Sequence, residues 1–374
     1  MHVLIAPDKF KGTLTAREAA DAIALGWHRA RPEDSLELLP ISDGGDGFGE
    51  VMGELLGAKW RQIKTLDAAH RSCSATWWWD PASRTAVVES ARVIGLAMLP
   101  KGKFHPFELD TFGLGAMLHA AHRAGAKQII VGIGGSATND GGFGMARALG
   151  WRFLDADGIA IEDWTALDRL AVVHPPATRW TATITVAVDV RNPLLGARGA
   201  SRVYGPQKGL RPQDFRKAEC CLRRLATVLK QQHGLEAARN PGAGAAGGLG
   251  FGLMVFANAE FQSGFDLVAT HSNLKARLKQ ADNVITGEGA IDHTTAMGKG
   301  CGEVARLCEK LRIPCIGLGG RVISSPQARR MFTQVSGLTG LTSAEEACRR
   351  PAFWLRRLAE QTASNLVCKL PLRR

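Results

Sequence analysis

The chain contains no apolar run long enough to cross a bilayer, so no membrane-spanning helix is expected. Its eight cysteines, Cys73, Cys220, Cys221, Cys301, Cys308, Cys315, Cys348 and Cys368, include no C-x-x-C pair and no His-spaced zinc pattern. They read as reduced, mostly packed thiols. Signatures of several enzyme classes are missing too. Gly298-Lys299-Gly300 lacks the upstream glycine and the following Ser or Thr of a P-loop. There is no protein-kinase signature set and no G-x-S-x-G elbow. Any nucleotide must therefore be bound by another scheme. The first residues, His2-Val3-Leu4-Ile5-Ala6-Pro7-Asp8, are interrupted too soon for a signal peptide, and a cytoplasmic location is expected.

What remains is an ordinary globular composition. The 374 residues are 45% hydrophobic and 22% charged, enough for two domains with substantial cores. The formal net charge is +12, and ten basic against three acidic residues between Arg321 and Arg374 supply +7 of it. Arg329-Arg330, Arg349-Arg350 and Arg356-Arg357 lie on helical segments without interleaved aromatics or a recognition motif. A solvated face that favours anionic metabolites is expected, and no nucleic-acid partner.

One stretch organises the rest: Gln128-Ile129-Ile130-Val131-Gly132-Ile133-Gly134-Gly135-Ser136-Ala137-Thr138-Asn139-Asp140-Gly141-Gly142. A β-branched run reads as a buried strand that stops in a Gly-rich polar turn before a helix at Phe143. Glycines let backbone approach a ligand, and amides at a helix start attract phosphate. Asp140 would repel that phosphate unless it holds a metal or activates a hydroxyl, so the turn looks built for phosphate plus cation. A rival reading is the dinucleotide fingerprint, Gly132-x-Gly134-x-x-Ala137 with Asp155 downstream, a weak pattern. A tight turn with no ligand is the third.

Strand, polar loop, helix recurs along the chain. Val3 to Ala6 ends in Pro7-Asp8-Lys9-Phe10-Lys11-Gly12, and Thr15-x-x-Glu18 is a capping box. Asp8, Lys9 and Lys11 are candidates to meet a charged substrate, since open α/β sheets bind ligands at strand C-terminal ends. Leu36 to Ile41 runs into Ser42-Asp43-Gly44-Gly45-Asp46-Gly47. Between Trp60 and Leu99 alternation predicts an antiparallel hairpin region, with Trp77-Trp78-Trp79 packing in a core. Thr183 to Val188 ends in Asp189-Val190-Arg191-Asn192, and Lys208 follows in Gly205-Pro206-Gln207-Lys208-Gly209, a base, metal-ligand and phosphate-partner set. Gly242 to Gly250 matches G-x-G-x-x-G without a preceding strand, and reads as a Gly-rich helix start allowing close backbone or ligand approach. Asn283 to Asp292 and Gly298-Lys299 return to the strand-loop-helix order. An amphipathic helix from Ala352 to Val367 closes the chain.

Together these motifs resemble the type 1 glycerate kinases. The resemblance rests on Ala6 to Gly12, Asp43-Gly44-Gly45-Asp46-Gly47, Gly132 to Gly142, Asp189 to Leu194, Gly205 to Gly209, Gly242 to Gly248, and Gly287-Glu288-Gly289 through Lys299, in order over essentially the whole chain. It implies an α/β, two-domain glycerate kinase type 1 fold. A discontinuous Rossmann-like parallel-sheet domain would comprise residues 1–62 and 266–374, an inserted α/β domain with mixed sheet residues 63–265, and the active site the interdomain cleft. It implies ATP-dependent phosphorylation of D-glycerate with Mg²⁺, most often at the 2-hydroxyl, in glyoxylate and sugar-acid metabolism. A homodimer is compatible with it, and no membrane partner is expected. A kinase of a related hydroxy acid and a non-catalytic sugar-acid-binding protein are the alternatives.

Carried onto this sequence, Asp189 is the expected base or hydroxyl-orienting group, with Lys11 and Lys208 neutralising anionic charge. Asp8, Lys9, Asp43, Asn192 and Arg191 are expected at the substrate. Gly134, Gly135, Ser136, Thr138, Asn139 and Glu288 are expected at the nucleotide, and Asp43 or Asp292 at Mg²⁺. The sequence departs from the family's usual pattern at Ala290 and Thr294, where arginine and glutamine are common, and at Phe48, Arg191 and Ala91-Arg92-Val93-Ile94-Gly95. Arg92 or Arg191 is expected either to substitute for the missing cation or to alter the substrate pocket.

Overall fold

The computed structural model describes residues 1–177, 181–295, 300–323, 327 and 330–366. Gly298-Lys299, Arg329, Val367 and Cys368, named above, lie outside the described residues. The chain divides into two compact units, Met1–Asp43 with Phe265–Arg374, and Gly44–Gly264.

The first unit opens with β1 (His2–Ile5), the helix Ala16–Ala30 and β2 (Ser35–Leu38). Thr15 and Glu18 form the capping box that their spacing predicts, satisfying amides that a helix start leaves unpaired. The second unit carries β3 (Lys59–Leu66), β4 (Ser72–Asp80), β5 (Thr85–Glu89), β6 (Gln128–Gly132), β7 (Arg152–Leu154), β8 (Val172–His174), β9 (Thr183–Ala187) and β10 (Glu260–Gln262). The chain then returns to the first unit for β11 (Asn283–Ile291), β12 (Cys315–Val322), β13 (Gln334–Gly337) and the helix Pro351–Ser364.

The first unit's sheet is entirely parallel, in the order β13-β12-β11-β1-β2. Val3, Ile5, Ile285, Ile316 and Leu318 are buried in it, the near-continuous apolar pattern of strands covered on both faces. The helices Ala16–Ala30 and Pro351–Ser364 pack against each other at Gly26, where a Cβ would lie 2.1 Å from the Arg356 carbonyl oxygen. Only glycine permits that approach.

The second unit's main sheet is mixed, in the order β10-β9-β6-β5-β4-β3, with β5, β6, β9 and β10 parallel and β3 and β4 antiparallel. β7 and β8 form a separate antiparallel pair. Trp77, Trp78 and Trp79 are all buried, as core packing requires. Trp78 fills the space left by Gly49 and Gly53 on the helix Phe48–Leu55, where a Cβ would lie 2.1 and 2.4 Å from the indole. β3 pairs with β4 along its whole length.

Candidate functional site

In the second unit, β5, β6 and β9 are parallel and in register, Glu89 opposite Gly132 and Gly132 opposite Ala187. Their C-terminal loops therefore leave the sheet at one end, where open α/β sheets bind ligands. Those loops are the Gly-rich turn 133–142, the Ser90 segment and the Asp189 segment, and the Ser90 segment meets the turn where the Ala137 amide donates to the Ile94 carbonyl at 2.7 Å.

Lys208, the last residue of the helix Ala200–Lys208, reaches into the turn. Its Nζ donates to Ser136 Oγ at 2.8 Å and to the Thr138 carbonyl at 2.7 Å. On the same helix face, seven residues earlier, Ser201 Oγ accepts from Asn139 Nδ2 at 2.9 Å. The helix thus clamps the turn at two points. Lys208 is buried, and among the described residues no carboxylate lies within 4.0 Å of its ammonium. Burial pushes its pKa down to about 7, against a smaller upward pull from Asp140. Thr138 Oγ1 and Asn139 Oδ1 are also buried, with no hydrogen-bond partner among the described residues. A buried cation without a counter-ion, beside an unpaired hydroxyl, is an arrangement that an anion completes.

Asp140 has a different task from the one its position suggests. Its carboxylate accepts from the Thr111 amide at 3.0 Å, the Thr111 hydroxyl at 2.7 Å, and the Gly142 and Gly144 amides at 3.2 and 2.9 Å. Thr111 Oγ1 in turn accepts from the Met145 amide. The amides opening the helix Phe143–Ala148, expected to meet phosphate, are therefore spent on Asp140 and Thr111. Burial and the neighbouring Asp110 raise the Asp140 pKa to about 6. Asp155, the rival fingerprint's ribose acid, holds the Asp157 and Ile159 amides of its own turn.

Two other glycine segments support the turn by backbone contact. Ala246, Gly247 and Gly248 all have left-handed φ, +54°, +71° and +86°. A Cβ on Gly247 would lie 1.9 Å from the Thr138 carbonyl oxygen, and the Gly141 amide donates to the Gly247 carbonyl. On the other side, a Cβ on Gly134 would lie 2.5 Å from Gly45 Cα, and the Gly134 amide donates to the Gly44 carbonyl at 3.4 Å.

Asp189 is exposed, and its Oδ1 accepts from the Gly264 amide at 3.2 Å. Asn192 is committed locally: its Nδ2 donates to the Arg198 carbonyl and its Oδ1 accepts from the Tyr204 hydroxyl. Arg191 is exposed. Arg92 is ion-paired with Glu50 at 2.6 Å and with Glu89 at 3.7 Å, so it serves these carboxylates rather than standing in as a substrate cation.

In the first unit, Asp8 follows β1, Asp43 follows β2 and Glu288 lies on β11. Asp8 is buried, and burial first, then Asp43, raise its pKa to about 7 despite Lys9. Lys9 Nζ lies 3.0 Å from Asp43 Oδ1 and 3.9 Å from Asp8 Oδ1. Gly300, opening the helix Gly300–Leu311, abuts Asp8: a Cβ there would lie 2.7 Å from Oδ2. Glu288 accepts from the Thr295 hydroxyl at 2.6 Å. Lys11 is exposed.

The expected magnesium ligands do not fit a resident ion. Asp43 is paired with Lys9, and Asp292 Oδ1 accepts both the amide and the hydroxyl of Thr294 at 2.7 Å. Among the described residues no group of three or more His, Cys, Asp or Glu side chains is arranged to hold a metal.

The sequence profile of the glycerate kinase family matches residues 3–367. The chain belongs to the glycerate kinase family. Within it, the chain is 39% identical over 325 residues to the glycerate kinase of Halalkalibacterium halodurans, covering 85% of each. It is 35% identical over 356 residues to the glycerate 2-kinase of Escherichia coli K12, covering 93% of each. A crystal structure from Salmonella typhimurium LT2, assigned as glycerate kinase 2, superposes with a TM-score of 0.83 at 34% identity, covering 98% of both chains.

Sequence reasoning did not single out Glu89, Thr111 or Ser201. Of these, Ser201 carried a signal, its spacing of seven from Lys208.

Proposed function

We propose that this glycerate kinase family member transfers the γ-phosphoryl group of ATP to glycerate, at the 2-hydroxyl of the D-enantiomer, giving 2-phosphoglycerate. The buried Lys208 ammonium, held against Ser136 and Thr138 without a counter-anion, is the observation that carries this reading. It supplies preorganised positive charge for a transferring phosphoryl group, the largest electrostatic need of such a reaction.

Gly134, Gly135, Ser136, Thr138 and Asn139 line the phosphate side in this reading, and Asp189, at the end of a strand adjacent to β6, orients or deprotonates the attacking hydroxyl. We further propose that Asp8, Lys9 and Asp43 meet the substrate, Lys11 neutralises anionic charge and Glu288 meets the nucleotide. Magnesium enters as part of the nucleotide substrate, since Mg²⁺ is commonly held by phosphates with few protein carboxylates.

The test is a coupled assay with ATP, Mg²⁺ and D-glycerate, with products resolved by NMR and Asp189→Asn run in parallel. Dominant 2-phosphoglycerate and a collapse of kcat in a folded Asp189→Asn variant support the reading. Dominant 3-phosphoglycerate overturns the regiochemistry. Absent turnover, followed by activity on a related hydroxy acid, moves the substrate; glycerate binding without turnover makes the protein a sugar-acid binder.

A further inference from the structure

Glu89 ends β5 directly opposite Gly132, the last residue of the strand that feeds the Gly-rich turn. Its side chain does not point at the turn. It crosses to the acidic glycine loop, where Oε1 accepts from the Gly47 amide at 2.9 Å and Oε2 from the Gly49 amide at 3.0 Å. Both oxygens are thus spent on the start of the helix Phe48–Leu55, whose N-cap, Gly47, has φ +86° and offers no side-chain cap of its own. A carboxylate 42 residues downstream does the work of that cap.

The loop so fixed is the floor of the turn. Gly44 accepts from the Gly134 amide, and Gly45 and Asp46 lie so close to Gly134 and Gly135 that a Cβ on either glycine would overlap them. Behind Glu89 stands a second tier. Arg92 Nε lies 3.7 Å from Oε2, its NH2 group donates to Glu50 Oε1 at 2.6 Å, and its guanidinium lies 5.7 Å from the Trp78 ring centroid. Trp78 is itself wedged against Gly49 and Gly53.

We propose that Glu89 is a positioning residue for nucleotide binding: through the Gly47 and Gly49 amides it holds the loop Gly44–Gly47 against Gly134 and Gly135, and so sets the width of the phosphate cradle. The proposal rests on the reading of the turn as the nucleotide phosphate site, and it names no contact of Glu89 with substrate. It also separates two roles for the acidic glycine loop. Gly44, Gly45 and Gly47 shape the cradle through backbone, whereas Asp46 meets it through its side chain, whose Oδ1 would lie 1.8 Å from a Cβ on Gly135.

Glu89→Gln keeps the side chain's size but turns one acceptor into a donor facing an amide. Charge-assisted hydrogen bonds of this kind are the strong ones, so KM for ATP should rise about tenfold with KM for glycerate unchanged and kcat altered less than about threefold. A structural role alone would lower the melting temperature and the active fraction without splitting the two KM values. The second readout is pH. Burial raises the Glu89 pKa, Asp46 adds to the rise, and Arg92 and the two amides oppose it. Protonation of Glu89 should then weaken ATP on the acid side. Glu89→Gln removes that acid limb, and Arg92→Gln, which strips the carboxylate of its cation, moves it to higher pH.

Wild-type protein, Glu89→Gln and Arg92→Gln are titrated with ATP by calorimetry in parallel with turnover. Weaker ATP binding by Glu89→Gln, with the acid limb shifted in Arg92→Gln, supports the proposal even if the wild type does not phosphorylate glycerate, in which case the substrate assignment fails alone. Equal ATP affinity in wild type and a folded Glu89→Gln overturns it, as does a wild type that binds no nucleotide. If Glu89→Gln does not fold, Arg92→Gln decides: an unmoved acid limb overturns the proposal.

Discussion

At the end of β1 a buried carboxylate, Asp8, is surrounded by Asp43 and Glu288 with Lys9 as its adjacent cation; at the end of β6 a buried ammonium, Lys208, meets hydroxyl and carbonyl oxygens instead. Burial acts on both in the same physical sense, against the charged form, and so in opposite directions on the pKa. Asp8 is raised to about 7 and Lys208 lowered to about 7. Two groups of opposite charge are brought to titrate near neutrality by the same means. A ligand's charge can therefore set the protonation state of either one, whereas an exposed lysine or aspartate would stay ionised throughout. Asp140, equally buried, is raised less, to about 6, because Thr111 and two glycine amides satisfy its carboxylate, and it builds the turn.

The comparison can be broken most severely by removing the turn's backbone support. Gly247→Ala places a Cβ 1.9 Å from the Thr138 carbonyl at a left-handed φ. Overlap and strain together should destabilise by about 4 kcal/mol. Gly234→Ala has φ +66° but open space around it, and should cost about 1 kcal/mol. Chemical denaturation measures both; equal losses would mean that the turn gives way to the added methyl group.

Next in size is Lys208→Met, which keeps the apolar stem and removes the charge. Loss of a preorganised cation should lower kcat/KM by about 10²- to 10³-fold. Stability should hold or rise, because a buried ammonium without a counter-ion is replaced by a packed apolar group. Steady-state kinetics and thermal melts run together check this; lost stability with unchanged kcat/KM would make Lys208 a structural clamp and nothing more.

Much of this architecture was legible in the residues. The capping box at Thr15 and Glu18, the strand at Thr85–Glu89 and the buried tryptophans follow from local pattern, because period and capping are set by neighbours in sequence. Lys208 and the Gly-rich turn were legible as motifs, but their contact was not, since it spans 72 residues. Glu89 and Thr111 were missed for that reason: they accept from amides 42 and 34 residues away, and nothing local marks them. The helix-start amides were misassigned because a strand-turn-helix pattern cannot show that a buried carboxylate already occupies them.

The two buried groups also predict opposite pH windows of stability. Asp8 has a folded pKa of about 7 against ~3.9 unfolded, so between these values the folded state holds a proton that the unfolded state has lost. Its contribution is most favourable below about pH 4 and falls as pH rises to about 7, by at most about 4 kcal/mol. Lys208 has a folded pKa of about 7 against ~10.4 unfolded, so there the unfolded state binds the extra proton and stability rises from about pH 7 to 10. Asp8→Asn should flatten the acid-side fall and Lys208→Met the alkaline-side rise in melts recorded across pH. If one variant flattened both, Asp8 and Lys208 would not be the separate sources of the two slopes.

The smallest effect isolates Lys208 from every other group. At about pH 8 a lysine titrating near 7 is mostly neutral, and a polyphosphate placed against it restores the ammonium. Binding of ATP should then take up close to one proton, on the order of the change in Lys208 occupancy alone. Calorimetric titration in buffers of different ionisation heat measures that uptake directly, and ATP carries no titrating phosphate of its own at this pH. Lys208→Met should bind without uptake, while Asp8→Asn should keep it, because Asp8 is already ionised there. ATP binding to the wild type with no proton taken up would place the phosphates away from Lys208, and the cation at the end of β6 would then have to answer to the glycerate carboxylate instead.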